Sequence, residues 1–384
     1  MVEIIGLTGL RPSKEKVGEV TAPPYDVIKP GTELEKFLQQ RENSLFHITL
    51  GSHPVGALEE LIERGALIED NEPCFYVYEQ RYGNETRTGV FVAAAVSDYS
   101  KGEIIRHEKT FDEKVQGRLK LRRTTGYSFG PVFLLTKSPI SSVLEEIKSK
   151  YEPEYEFTSD FGGQSELNGI KNRVFRVKEN SAEGKKLKEL IGKNNLYIAD
   201  GHHRYHTSLK NNQTHFLAYI VEEAKIQAYN RVVTGVKKFD EVSDRFELEE
   251  TNEFKTPEKH QFCIYSGGKS YLLNAKEVPD DVVGKFDSSI LEREVYPVFE
   301  LTHDMIMDHA HFDYYAESEL DTMKKVVDGG KYDAAIALHP VSIEELMEVA
   351  NAGLEDSNIV MPEKSTFFAP KILSGLFVYK HVII

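Results

Sequence analysis

Cysteine is scarce in this chain: Cys74 and Cys263 are the only two in 384 residues, each flanked by aromatics in a strand-like run. A disulfide framework is not indicated, and two buried thiols are the simpler reading. Long apolar runs are missing too. No window approaches the roughly 20 apolar residues of a membrane-spanning helix. The N-terminal stretch MVEIIGLTGLRPSKEKVG lacks a cationic start followed by an apolar core. The expected location is the cytoplasm, with no membrane partner. Positive charge is in deficit, with 47 Lys and Arg against 62 Asp and Glu and a formal net charge of −15. A general nucleic-acid binder needs a basic face to displace counterions, so no nucleic-acid partner is expected. Low-complexity segments are absent as well, and order is expected nearly throughout.

The length exceeds what one core usually serves, so two domains are expected, with a boundary near residue 238. Helical spacing predicts helices over 32–41, 55–66, 112–123, 142–151 and 182–193. Strands are expected at 45–50 (LFHITL), 74–81, 88–99, 131–136, 175–177, 196–199 and 216–222, with a turn at 82–86. Past 238 the spacing predicts strands at 261–265, 270–274 and 334–339, and helices at 317–328 and 342–352. Residues 361–379 read as extended and turn-rich. Together these give an α+β chain with a mixed sheet.

Four segments carry candidate chemistry. In IADGHHRYHTSL (198–209) an apolar strand runs into Asp200-Gly201, and a helix starts at once. Glycine lets a ligand approach the backbone, and open amides at a helix start favour an anion. Arg204 lies in the first turn, where its planar fork can grip phosphate, and His202 and His203 add donors. A solvated helix start is the plain alternative. Metal ligation by His202 and His206, four residues apart, is another.

The second segment is Arg106-His107-Glu108-Lys109-Thr110 with the helix behind it. Arg106, Lys109, Lys114, Arg118, Lys120, Arg122 and Arg123 stand here against Glu108, Asp112 and Glu113. That local positive excess within an acidic chain suits a multiply charged anion, and Glu108 among those cations is expected to stay ionised. The plain alternative is a solvated charged face. The third segment is APPYD (22–26), a proline-stiffened loop presenting Tyr25 and Asp26 to a substrate or a metal ion, or simply a structural turn. The fourth, Lys364-Ser365-Thr366 with Lys371 and Gly375, lacks the glycine-rich run of a phosphate loop and reads equally as an ordinary loop.

APPYDVI (22–28), VYEQ (77–80), RHEKT (106–110), IADGHHRY (198–205) and MPEKSTFFAPKILSGL (361–376) together resemble the family catalogued as domain of unknown function 1015. That family in turn is similar to the ParB/sulfiredoxin-like superfamily, where a Gly-x-[His/Arg]-Arg turn at a helix start binds nucleotide phosphates. Free serine kinases of that superfamily carry a similar Asp-Gly-His-His-Arg turn and a His-Glu pair whose Glu is the catalytic base; His107-Glu108 stands at the matching place.

The resemblance implies a ParB-like nucleotide-binding domain over 1–238, with an insertion near 137–194. A C-terminal α/β domain over 239–384 would follow and contribute the Lys-Ser-Thr loop. It implies an ATP- or ADP-dependent kinase acting on the hydroxyl of a small molecule, with free L-serine as the best single acceptor and a possible homodimer. Glu108, His107 and Arg204 would act in catalysis. Asp200, Gly201, His202, His203, Arg204, Lys109, Thr110 and Arg118 would hold nucleotide. Tyr25, Asp26, Arg122, Arg231, Lys364, Ser365 and Thr366 would hold substrate, and Asp200 and Asp26 would meet Mg²⁺. AYNRVV (228–233) lacks the Pro-Thr-His-Arg run associated with relatives, and only Arg231 stands in place. Two rival readings stand beside this one: a ParB-type switch that hydrolyses nucleotide slowly, and a metal-dependent phosphohydrolase built on His202 and His206.

Overall fold

The computed structural model describes residues 2–381 apart from 71, 111, 163–166, 236–246, 309 and 363; the side chains at 112–114 and 247 are also left undescribed. The chain is a mixture of helices and several sheets and packs as two units. One comprises Met1–Ala224 with Pro370–Ile384, the other Lys225–Ala369. The expected boundary near 238 falls outside the described residues.

The first unit is built on a nine-stranded mixed sheet. Its strands are β1 (Ile4–Ile5), β4 (Cys74–Tyr82), β5 (Glu85–Ala95), β6 (Ile104–Ile105), β8 (Val132–Thr136), β9 (Tyr155–Thr158), β10 (Lys171–Lys178), β11 (Leu196–Asp200) and β12 (His215–Val221). The order is β6-β11-β8-β12-β5-β4-β10-β9, with β1 also on β5. β6 with β11 and β8 with β12 are parallel, and the other pairs are antiparallel. β4 and β5 form a hairpin through Gly83-Asn84, where Gly83 takes φ +54°. β8 is buried along its whole length, hence its unbroken apolar run.

Helices α1 (Val17–Val20), α2 (Glu33–Gln40), α3 (Phe46–Thr49), α4 (Pro54–Glu63), α5 (Asp112–Thr125), α6 (Ser141–Lys150), α7 (Ala182–Gly192) and α8 (His202–Lys210) complete the unit, with β2 (Gly9–Pro12), β3 (Leu67–Glu69) and β7 (Tyr127–Ser128). Val143, Leu144, Ile147, Leu187, Ile191 and Tyr205 from α6, α7 and α8 share one core with Val90, Val92, Leu134, Ile198 and Phe216. The segment 137–194 is continuous with this core, since it supplies β9 and β10 of the main sheet as well as α6 and α7.

One expectation is overturned. LFHITL is not a strand: Phe46–Thr49 is helical. Ser44 explains the difference, because its hydroxyl accepts the main-chain N–H of Phe46 at 3.2 Å and starts a turn.

The C-terminal tail returns to the first unit. Ala22 and Ser374 exchange main-chain hydrogen bonds of 3.1 and 2.9 Å, and the N–H of Gly375 donates to the Phe129 carbonyl at 2.9 Å. The strand Val378–Lys380 then lies between β2 and β7 in a four-stranded sheet. Two buried residues of the main sheet hold the start of the tail. Arg87 donates to the Gln80 side-chain oxygen at 2.5 Å and to the Pro370 carbonyl, and the Gln80 amide donates to the Lys371 carbonyl at 3.3 Å.

The second unit carries a six-stranded antiparallel sheet of 230–233, 247–251, 261–266, 269–274, 312–315 and 334–338. Its helices include Leu320–Asp328 and Ile343–Glu355. Phe262, Ile264, Leu273, Ile336 and Phe299 lie in its main core.

Because Arg87 is buried and satisfies two acceptors at once, its loss strands both. We expect Arg87→Ala to lower the unfolding free energy by about 2–4 kcal/mol, read by urea denaturation. A loss below about 0.5 kcal/mol, the range of ordinary surface substitutions, would contradict this account of the tail's anchor.

Candidate active site

β11 ends at Asp200, and Gly201 turns the chain at φ +100° into α8. That backbone is strained for any residue with a Cβ. A Cβ there would also lie 2.8 Å from Arg204 Nε, so glycine makes room for the arginine folded back over the turn. Arg204 is buried and donates to Asp200 Oδ2, while Lys371 Nζ from the returning tail donates to Oδ1 at 2.8 Å. Burial pushes the Asp200 carboxyl up. Lys371 and Arg204 outweigh it, and the group is held well below the usual carboxylate range.

The loop after β6 brings a second carboxylate to the same helix end. Glu108 Oε2 lies 3.1 Å from His202 Nδ1. The main-chain N–H of His107 points at His202 Nε2 over 3.5 Å. The rings of His107 and His202 meet edge to face at 4.5 Å. Burial, then the charge of His202, pulls the His107 imidazole down to about 3.

A small cleft opens beside Arg204, lined by Tyr25, Arg118, Arg122, Ser128, Gly130 and Ser374, among others. The Arg118 guanidinium stacks over the Tyr25 ring at 3.4 Å. Burial lowers its pKa while Tyr25 and Asp26 raise it. Arg122 is buried and donates to Ser208 at 2.6 Å, Gln213 at 2.8 Å and the Arg204 carbonyl at 2.9 Å, so it ties α5 to α8. Burial, then Arg204, brings it down to about 9. Among the described residues neither Arg118 nor Arg122 has a carboxylate within ion-pair distance. Three guanidiniums around one cleft, only one of them ion-paired among the described residues, give it an excess of positive charge.

Residues 4–295 match the family described as protein of unknown function (DUF1015). The chain belongs to that family. Among solved structures this DUF1015 protein is similar to free serine kinase in complex with AMP, at 15% identity and a TM-score of 0.38, over 75% of this chain and 92% of that one. It is also similar to a conserved hypothetical protein from Pyrococcus furiosus, at 14% and 0.37 over 77% and 94%. A third is SbnI with C-terminal truncation from Staphylococcus aureus, at 11% and 0.37 over 74% and 85%. No curated protein matches the chain.

Most of the residues singled out from the sequence stand in the first unit of the DUF1015 protein. Asp200, Gly201, His202, Arg204, His107 and Glu108 meet at the start of α8. Tyr25, Arg118 and Arg122 line the adjoining cleft, and exposed Asp26 is felt electrostatically by Arg118 and Arg204. His203 and Thr110 are half-buried, and Lys109 is exposed. His206 stacks on Tyr99. Arg231 and the Lys364–Thr366 run lie in the second unit. There Arg231 is buried and donates to Tyr296 at 3.2 Å and to the Tyr229 carbonyl, and Ser365 donates to the Pro362 carbonyl at 2.8 Å.

The residues present do not fit a protein-held Mg²⁺. Both Asp200 oxygens already accept from cations, and among the described residues no group of three or more His, Cys, Asp or Glu could hold a metal ion. What sequence reasoning missed is the use of Lys371 as the partner of Asp200, and of Ser208, Gln213, Ser128 and Ser374 around the arginines.

His107 and His381 are both brought down to about 3 from 6.5, burial being the first cause for each. The unfolded chain therefore takes up protons first as pH falls. Stability is full above about 6.5 and drains as pH falls toward 3, by about 1.4 kcal/mol per pH unit for each such histidine. Half-buried His215 acts in the same direction. We expect the urea midpoint to drop between pH 6.5 and 5, before carboxylates titrate, and His107→Asn to remove about one proton from the slope. A flat profile across that interval would overturn this.

Proposed function

We propose that this chain is an ATP-dependent phosphotransferase that passes a phosphoryl group to the hydroxyl of a small metabolite, with free L-serine as acceptor and O-phosphoserine as product. The observation that carries the reading is the contact of Glu108 with His202 at the start of α8. It joins a carboxylate to the helix end that bears Arg204 and opens beside the arginine cleft. The motif resemblance to a ParB/sulfiredoxin-like nucleotide fold supports it.

Phosphoryl transfer runs through a loose transition state, so a protein serves it mainly by positioning and charge neutralisation. Gly201, His203 and the first-turn amides of α8, with Arg204 and Arg118, hold the phosphates of ATP or ADP; Lys109 and Thr110 flank them. Glu108 orients the acceptor hydroxyl and takes its proton. His107 acts through His202, fixing the ring that steadies Glu108. Tyr25 and Asp26 face the acceptor side. No protein ligand for magnesium enters the scheme.

The test is Glu108→Gln, which keeps the shape and removes the base. Transfer from ATP to L-serine is expected to fall by a factor on the order of 10²–10⁴, while ADP affinity by calorimetry stays near that of the wild type. Wild-type turnover in this variant would refute the base. Turnover that ignores every hydroxyl metabolite offered would refute the kinase. His206→Asn is expected to cost little, since that ring is stacked on Tyr99; complete inactivity would favour hydrolysis at a histidine-bound metal.

A further inference from the structure

The arginine cleft holds a side-chain pair that the scheme above does not use. Ser128 on β7 lines the cleft, and its hydroxyl lies 2.8 Å from Nε2 of His381. The sheet register creates the pair. Ser128 stands opposite Tyr379 in the antiparallel ladder, and the N–H of His381 bonds the Gly126 carbonyl at 2.9 Å. Position 381 is therefore the diagonal neighbour of 128 on the same face, a spacing that a histidine spans. A serine hydroxyl within hydrogen-bond reach of an imidazole is the minimal nucleophile–base arrangement.

Two further observations give the pair a ligand. Burial, then the nearby charge of Arg122, keeps the His381 ring in its neutral form around neutral pH, and its Nδ1 is buried with no hydrogen-bond partner. The cleft onto which Ser128 opens also carries Arg118 and Arg122 without a carboxylate in ion-pair distance among the described residues. A phosphoryl group on Ser128 would bring roughly −1.5 to −2 charges to the cleft, with acceptor oxygens for Arg118 and a counter-charge within the field of Arg122.

We infer that Ser128 is a phosphoryl acceptor within the cleft, charged from a nucleoside triphosphate with His381 as its base. The inference rests on the nucleotide-binding reading given above. Ser128 Oγ forms a bond to the γ-phosphorus while the bond from that phosphorus to the β–γ bridging oxygen breaks. ADP leaves with the electron pair, and the hydroxyl proton passes to His381 Nε2. The imidazolium so formed faces the new phosphoserine, whose negative charge offsets the repulsion from Arg122.

Incubation of the full chain with ATP and no acceptor, followed by digestion and mass spectrometry, tests this. One acid-stable phosphoryl group is expected on the peptide bearing Ser128. Labelling should vanish in Ser128→Ala and slow by on the order of 10²-fold in His381→Asn, while both variants stay folded by circular dichroism and still bind ADP by calorimetry. A wild-type protein that binds ADP but leaves Ser128 unlabelled overturns the inference and leaves the nucleotide-binding reading standing. Labelling on another residue, or undiminished labelling in His381→Asn, overturns it as well. A wild-type protein that does not bind ADP removes the underlying reading itself.

Discussion

The first unit turns on one buried carboxylate. Asp200 is held between Arg204 of the first helical turn and Lys371 of the returning tail, one cation on each oxygen. A carboxylate taken out of water loses several kcal/mol of solvation, and it stays ionised only where partners restore that. The three members come from a strand end, a helix start and a segment 171 residues further along the chain. Removing Asp200 would leave two cations without their counter-charge, and breaking a buried pair in this way typically costs about 3–5 kcal/mol. The tail is thereby made part of the site. Its path is fixed upstream by Gln80 and Arg87 and downstream by the ladder of Val378–Lys380 with β2 and β7, so Lys371 has little freedom to leave.

Charge is distributed in the opposite sense from what the whole chain suggests. The chain is strongly acidic, yet the segment from Arg106 to Arg123 concentrates positive charge, and α5 carries Arg118 and Arg122 to the cleft beside Arg204. The two play different parts. Arg122 spends its donors on Ser208, Gln213 and the Arg204 carbonyl, so it sets the distance between α5 and α8 and lends only its field to the cleft. Arg118, stacked on Tyr25, keeps its planar donors at the cleft wall.

Which parts of this were legible in the sequence follows from range. The strand–turn–helix at 196–210 could be read because all its signals are local: an apolar run, Asp-Gly, then helix-forming residues. LFHITL could not, because six mostly apolar residues fit a strand as well as a helical turn, and the Ser44 hydroxyl that accepts the Phe46 N–H favours the turn only locally. VYEQ was visible as a motif, but its reason was hidden: Gln80 grips the main chain of Lys371 from 291 residues away. Lys371 was noticed only as a neighbour of Lys364-Ser365-Thr366. The structure parts them between Ala369 and Pro370, where the chain passes from one packing unit to the other. No local pattern marks that change, because it is the distant donors Arg87 and Gln80, bonded to the carbonyls of Pro370 and Lys371, that impose it.

The glycines near Arg204 show what the arrangement is built to hold. A Cβ on Gly201 would strike Arg204 Nε, and one on Gly130 would lie 3.1 Å from Ser374 Oγ and 3.5 Å from Arg204 Nη1. Both glycines leave space for a side chain of the protein itself, so the guanidinium is packed from two sides and tethered to Asp200 before any ligand arrives. A cation fixed in this way does not have to reorganise when negative charge develops beside it, and that is where preorganised electrostatics gains over water. It also explains why an arginine is used here, with a planar group wedged between two backbone approaches. A lysine would leave the slot unfilled and offer a single mobile ammonium in place of the fork.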